Sequence, residues 1–377
     1  MFLSKVLILF YLFIFYNSDN EYKYCIMALE NKDQGVLGIH HVTAIARNPQ
    51  ENFEFYSVIL GLRLVKLTVN YDDPTTYHLY YGDETGRPGT ILTFFPWEHI
   101  PKGSRGTSEV VTTSFLIPEN AIEYWSNRFK DKGVEHSEPK RRFDNSEQII
   151  TFYDNDGLKL ELVASKEAEN RKINAWKNSP IPIDYAIRGL YSVTLSLDGY
   201  EESASLLTNE MGFSKIGHEG NRFRFQITDK DIERALNNLG GNNEIQRSNS
   251  TSSSIVDIVC LPYTQPGTMG AGTVHHVAWR TPNDESQLEM RKKIIRTRLN
   301  ATPVIDRLYF HSVYFREPGG VLFEIATDPP GFQIDQKLEE LGRKLVLPKW
   351  LEPRREYIEK TLPSINFSNI DQTKIES

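Results

Sequence analysis

The chain has 377 residues, of which 39% are hydrophobic and 25% charged, and carries a formal net charge of -7. That length accommodates two domains of ordinary size. The acidic balance, without a basic stripe interleaved with aromatics, argues against a nucleic-acid partner. Cys25 and Cys260, the two cysteines, give neither a disulfide framework nor metal-type spacing, which points to a reducing, cytoplasmic compartment.

Residues 1–30 stand apart. Lys5 precedes the apolar run Val6 to Tyr16, too short to cross a bilayer but suited to a signal-peptide core. Asn17-Ser18-Asp19-Asn20 holds no small-x-small cleavage signal, and Met27-Ala28-Leu29-Glu30 reads as an ordinary cytosolic start. The segment is therefore either a secretory signal or a dispensable extension preceding the real start. In both readings it lies outside the fold, and no membrane partner is expected.

Beyond it, four units repeat one order: strand, helix, then two or three strands. The first opens with Ile39-His41-Thr43 alternation, passes into a helix over 51–60 ended by Gly61, and continues in strands over 62–70, 76–81 and 89–95. The second opens near Val110-Thr112-Ser114-Leu116. Its helix covers 120–132, and its strands cover 148–153 and 158–163 around an Asn155-Asp156-Gly157 turn. Residues 35–165 thus hold two units, and 166–186 read as a linker.

The third unit opens at Gly189 to Leu195, with a helix over 201–211. Asn237 to Ser254 is rich in Asn, Gly and Ser and reads as a flexible loop. The fourth opens at Gly272 to His276, with a helix over 284–299 and Asp284 as its N-cap. Units three and four fill 187–335. The remainder, 336–377, holds a helix-like stretch over 336–344 and a disordered end from 366.

Chemistry concentrates in three strand-type segments: Gly38-Ile39-His40-His41-Val42-Thr43, Val274-His275-His276-Val277 and Leu322-Phe323-Glu324-Ile325. Two imidazoles and one carboxylate suffice for a non-haem Fe(II) centre with positions left open. The plainer reading makes each histidine a hydrogen-bonded strand residue. A carboxylate in an apolar strand is harder to explain that way, because it needs a partner when buried. Adjacent strand residues face opposite sides, so periodicity allows one ligand from each pair without choosing it.

The order of these units, with a ligand candidate on the first strand, resembles the vicinal oxygen chelate superfamily of glyoxalases, bleomycin-resistance proteins and extradiol dioxygenases. More narrowly, the chain resembles the MhqO-like, hydroquinone-type ring-cleaving dioxygenases. The similarity is carried by Gly38 to Ile45, Thr76-Tyr77-His78-Leu79-Tyr80-Tyr81-Gly82-Asp83, Leu92 to Trp97, Gly272 to Trp279, Tyr314 to Gly320, Leu322 to Phe332 and Trp350 to Arg355. It implies an α+β fold of four βαβββ modules forming two open mixed-sheet barrels. The metal ligands it implies are His41, His276 and Glu324, holding Fe(II), with Mn(II) as the alternative. Substrate-site roles are implied for Thr43, Arg307 and Tyr314. His40 and His275 fall just behind the ligands, where an imidazole suits orientation or proton movement.

The implied activity is insertion of O2 into a small aromatic diol. Its rivals are a glyoxalase-type lyase or isomerase, which would normally use four protein ligands, and a non-catalytic binding or resistance protein. A homo-oligomer is compatible with either. One metal held by His41, His276 and Glu324 requires units one and four to pair, leaving two and three to each other. Units two and three lack the histidines, so a single site is expected. A three-residue loop, Pro318 to Gly320, would place Tyr314 opposite Glu324 on the metal face, with Gly320 at positive φ.

Overall fold

The computed structural model describes residues 35–144, 146–227 and 255–367. The expectations for 1–30, for the 237–254 loop and for the tail beyond 367 lie outside these residues.

Four modules follow one another. The first comprises β1 (Ile39–Ala46), α1 (Pro49–Phe53), β2 (Arg63–Val69), β3 (Tyr77–Gly82) and β4 (Ile91–Pro96). The second comprises β5 (Glu109–Ile117), α2 (Ile122–Asp131), β6 (Lys140–Arg142), β7 (Glu147–Tyr153) and β8 (Lys159–Ala164). A short helix, α3 (Glu167–Asn170), lies in the connecting segment. The third runs through β9 (Leu190–Leu197), α4 (Glu201–Asn209), β10 (Ser214–Glu219), β11 (Arg222–Gln226) and β12 (Ile255–Cys260). The fourth runs through β13 (Val274–Thr281), α5 (Asp284–Arg296), β14 (Ile305–Asp306), β15 (Phe310–Arg316) and β16 (Leu322–Pro330).

The strands form two curled, open mixed sheets of eight. One has the order β14-β15-β16-β13-β1-β4-β3-β2, the other β10-β11-β12-β9-β5-β8-β7-β6. Modules one and four therefore share one sheet, and two and three the other. The joint in each is antiparallel, β1 with β13 and β5 with β9. These central strands are buried along their whole described lengths or nearly so. Helices cover one face, and the apolar core there is anchored by Trp125, Phe129 and Trp279.

Three local expectations need correction. Asn283, not Asp284, caps α5: its side chain accepts from the Ser286 N–H, and its backbone is extended as a cap requires. The first helix is short and continues as wider π-helical turns over Glu54–Ile59. The 336–344 stretch forms only a single tight turn, Leu338–Glu340. Two of its carbonyls are taken by a side chain of β2: Arg63 donates to the Leu338 oxygen at 2.6 Å and to the Leu341 oxygen at 3.5 Å. Backbone groups drawn off in this way cannot close a helical ladder.

Candidate metal centre

Both strands at the central joint of the first sheet carry a bulge. Ile39 faces Trp279 and His41 faces Ala278, so His40 is an extra residue on β1. Thr43 faces His276 and Ala44 faces Val274, so His275 is an extra residue on β13. A bulge breaks the alternation of side chains. The ring nitrogens of neighbouring histidines can then meet: His40 Nδ1 lies 2.9 Å from His41 Nδ1, and His275 Nδ1 lies 2.7 Å from His276 Nδ1. The expectation that the first histidine of each pair simply faces the other way is corrected by these bulges.

His41, His276 and Glu324 come together, all buried. Glu324 Oε2 is 3.4 Å from His41 Nε2 and 2.9 Å from His276 Nε2, and the two nitrogens are 3.4 Å apart. Donors at ~2.1 Å from a common ion would sit ~3.0 Å apart on an octahedral face and ~3.4 Å apart in a tetrahedron. The triangle therefore suits one ion. The tautomers agree: if each Nδ1–H donates to the histidine beside it, both Nε2 lone pairs point at the carboxylate, an arrangement that needs a cation or a proton between them. Without an ion, a proton takes that place: burial alone would raise the Glu324 carboxyl, but a protonated His41 and N–H donors from the two rings would hold it well below its ordinary range. Ser312 fixes the other oxygen, donating to Glu324 Oε1 at 2.5 Å. Among the described residues, no other group of three such side chains could share an ion.

His40 and His275 stay neutral. Burial, then the charge of His41, pushes His40 well down; burial and then His276 push His275 down to about 3. A neutral imidazole can accept from the adjacent Nδ1–H, as the tautomers require.

A cavity of about 330 Å³ opens onto the triangle, small enough to suit one aromatic ring. His41, His276, His275, Arg307 and Tyr314 line it, with Phe95, Trp97 and Phe310 as apolar walls. Tyr314 lies directly opposite Glu324, as the three-residue loop requires. The Glu317 N–H donates to the Val321 carbonyl, and Gly320 has φ 92°. Burial, then the Glu324 charge, raises the Tyr314 phenol, which remains a donor. The Arg307 guanidinium stands 5.5 Å over the Tyr314 ring and donates to Asp72 at 3.1 Å across the cavity mouth. Two of the anticipated site residues are set back. His40 packs against Phe310 and His41 behind the cavity, and Thr43 is fully buried, bonded to Thr93.

The aromatic strands over 77–81 and 94–97 admit either reading from sequence, pocket wall or packed core, and His78 reads as structural; His78, Tyr80, Phe95 and Trp97 all line the cavity. The placement of His78 and Tyr80 two apart on β3 was the available signal, because such residues share a face.

The family model of the Glyoxalase/Bleomycin resistance protein/Dioxygenase superfamily matches residues 38–162. A Bacillus subtilis protein named "Putative ring-cleaving dioxygenase MhqO" is 42% identical over 89% of this chain and 98% of its own length. The chain belongs to this superfamily. The "Chlorohydroquinone/hydroquinone 1,2-dioxygenase" of Sphingobium indicum is 29% identical over 87% of the chain and 96% of that protein. The crystal structure of a "putative dioxygenase" from Bacillus subtilis superposes with a TM-score of 0.78. It shares 42% identity and covers 88% of this chain and 98% of that one.

Proposed function

We propose that the chain is an Fe(II)-dependent ring-cleaving dioxygenase that inserts O2 into a hydroquinone- or catechol-like ring. The observation that carries this reading is the His41, His276 and Glu324 triangle on the wall of an aromatic cavity of ring size. The names of its relatives, ring-cleaving and hydroquinone dioxygenases, support it.

The residues have separable tasks. His41, His276 and Glu324 would hold the ion. Fe(II) there would supply open positions for a ring oxygen and O2, and the redox path between them. Phe95, Trp97 and Phe310 exclude water and hold the ring by apolar contact. Arg307 offers a permanent positive charge to a phenolate oxygen, and Tyr314 a neutral O–H donor on the ligand face. His40 and His275 fix the ligand rings through their Nδ1 atoms. A glyoxalase-type reading would normally use four protein ligands, and the group has three. Among the described residues no helix is long and apolar enough to cross a membrane.

The test uses purified full-length protein. Metal analysis should find iron rather than manganese, and an oxygen electrode should record uptake with hydroquinones or catechols. Glu324→Ala, His41→Ala and His276→Ala should each lose tight iron binding, whereas His78→Ala should keep it. Full iron occupancy in the Glu324 variant would sink the ligand assignment; absence of oxygen uptake with every diol would sink the reaction.

A further inference from the structure

Four side chains form one hydrogen-bonded series beside the cavity. Thr43 Oγ1 is 2.9 Å from Thr93 Oγ1, Thr93 Oγ1 is 2.9 Å from His78 Nε2, and His78 Nδ1 is 2.9 Å from the Tyr80 hydroxyl. Strand register builds the series: Thr43 lies beside Thr93 on β1 and β4, and Thr93 faces Tyr80 on β3. Thr43, Thr93 and Tyr80 are all buried from solvent, and of the four it is His78 and Tyr80 that line the cavity.

The direction of these bonds follows from counting hydrogens. Thr43 has Thr93 as its hydrogen-bond partner and no exposure to solvent. If Thr93 donated to Thr43, the Thr43 hydrogen would be buried without an acceptor, at a cost of about 1–3 kcal/mol. Thr43 therefore donates to Thr93, and Thr93 must use its single hydrogen on His78 Nε2. Burial, then the charges of His41 and His276, keeps the His78 imidazole neutral. A neutral imidazole that accepts at Nε2 carries its proton on Nδ1, so His78 donates to the Tyr80 oxygen. The Tyr80 hydrogen is then left over, on a residue that lines the cavity. Burial raises the phenol well above its ordinary range, so it remains a donor.

We propose that Tyr80 is a substrate-binding residue whose oriented O–H donates to the second oxygen of a ring diol, the one not held at the metal site. Thr43, Thr93 and His78 are its positioning residues. This rests on the ring-diol reading above and adds a specificity: an acceptor oxygen is required at that place on the ring.

The test is anaerobic titration calorimetry of the iron-loaded full chain with hydroquinone and with phenol, which lacks the second oxygen. The wild type should bind hydroquinone about tenfold more tightly than phenol, the worth of one neutral hydrogen bond. Tyr80→Phe should bring hydroquinone down to phenol's affinity and leave phenol unchanged. Thr93→Val should lower the hydroquinone preference several-fold, and Thr93→Ser should restore it, because the serine hydroxyl again fixes the His78 tautomer. A Tyr80→Phe protein that keeps the wild-type ratio overturns the proposal, as does one that loses both ligands equally. A wild type that binds both rings equally overturns it too, while leaving the dioxygenase reading standing. A wild type that binds neither ring overturns that reading and this one together.

Discussion

The two sheets are built to one plan and filled in opposite ways. In the second, bulges recur at Val111 and Tyr191, matching His40 and His275. Following the registers, Thr112 takes the place of His41, Ser192 that of His276, Asp257 that of Glu324 and Glu161 that of Thr93. One carboxylate thus persists where the histidines are lost, a second replaces a threonine, and guanidinium groups meet both. Arg224 binds Asp257 through two nitrogens at 2.7 and 2.8 Å and also pairs with Glu147. Arg142 bridges Glu147 and Glu161, each at 3.1 Å, and Tyr191 donates to Glu147 at 2.6 Å. One sheet surrounds its buried carboxylate with imidazoles and a cavity; the other fills the corresponding space with arginine. A buried carboxylate that stays ionised needs a compensating positive charge; the second sheet supplies arginine, and the first, on the proposed reading, a metal ion.

The largest effect should come from unpairing the second sheet. Arg224→Met leaves Asp257 and Glu147 short of their main partner and should cost about 3–5 kcal/mol, read as a lower urea midpoint. A loss under about 1 kcal/mol would mean that Arg142 and Arg222 suffice, and the contrast between the sheets would weaken.

If the first sheet's cation is a bound metal ion, as proposed, stability should follow metal supply. Fe(II) at about a thousand times its Kd should add about 4 kcal/mol, removed again by chelator. A melting temperature indifferent to both would mean that the imidazoles alone satisfy Glu324.

Asp154 is the control, a buried carboxyl with neutral donors only. Tyr56 donates to it at 2.9 Å, as do the backbone N–H groups of Asp156 and Leu158. Burial raises it to about 6. A raised carboxyl contributes stability that is present below its unfolded value and lost as pH rises through its folded one. Between pH 4 and about 6 this group should therefore remove about 3 kcal/mol. Asp154→Asn should flatten that slope; urea midpoints at pH 4.5 and 7 that fall equally in variant and wild type would show that other groups set it.

The smallest effect concerns support of the ligand carboxylate. Ser312→Ala should weaken iron binding 10- to 100-fold without altering the fold's urea midpoint in chelator. Unchanged iron affinity would show that Glu324 is held by the imidazoles alone.

Much of this was legible in residues. The four units, the pairing of the first with the fourth, and Tyr314 opposite Glu324 all follow from ordered motifs and from one loop ending in Gly320. Among the described residues one group of three could share an ion, and the sequence showed only part of what fills the corresponding place in the other sheet. Thr112 and Ser192 announced the missing histidines, but no spacing announced Arg142 and Arg224 in their stead. Bulges at His40 and His275 were likewise hidden, because an extra residue changes pairing without changing local composition.

What the sequence by itself determined is the set of strands and the chemical types on them, since hydrophobic period and turn residues act over a few positions. What only the tertiary structure decided is which side chains share a cavity. Thr43, Thr93, His78 and Tyr80 belong to three strands, and their hydrogen bonds exist only once register sets those strands side by side. Register is fixed by burial of a whole face, a sum over the sheet that no single segment contains.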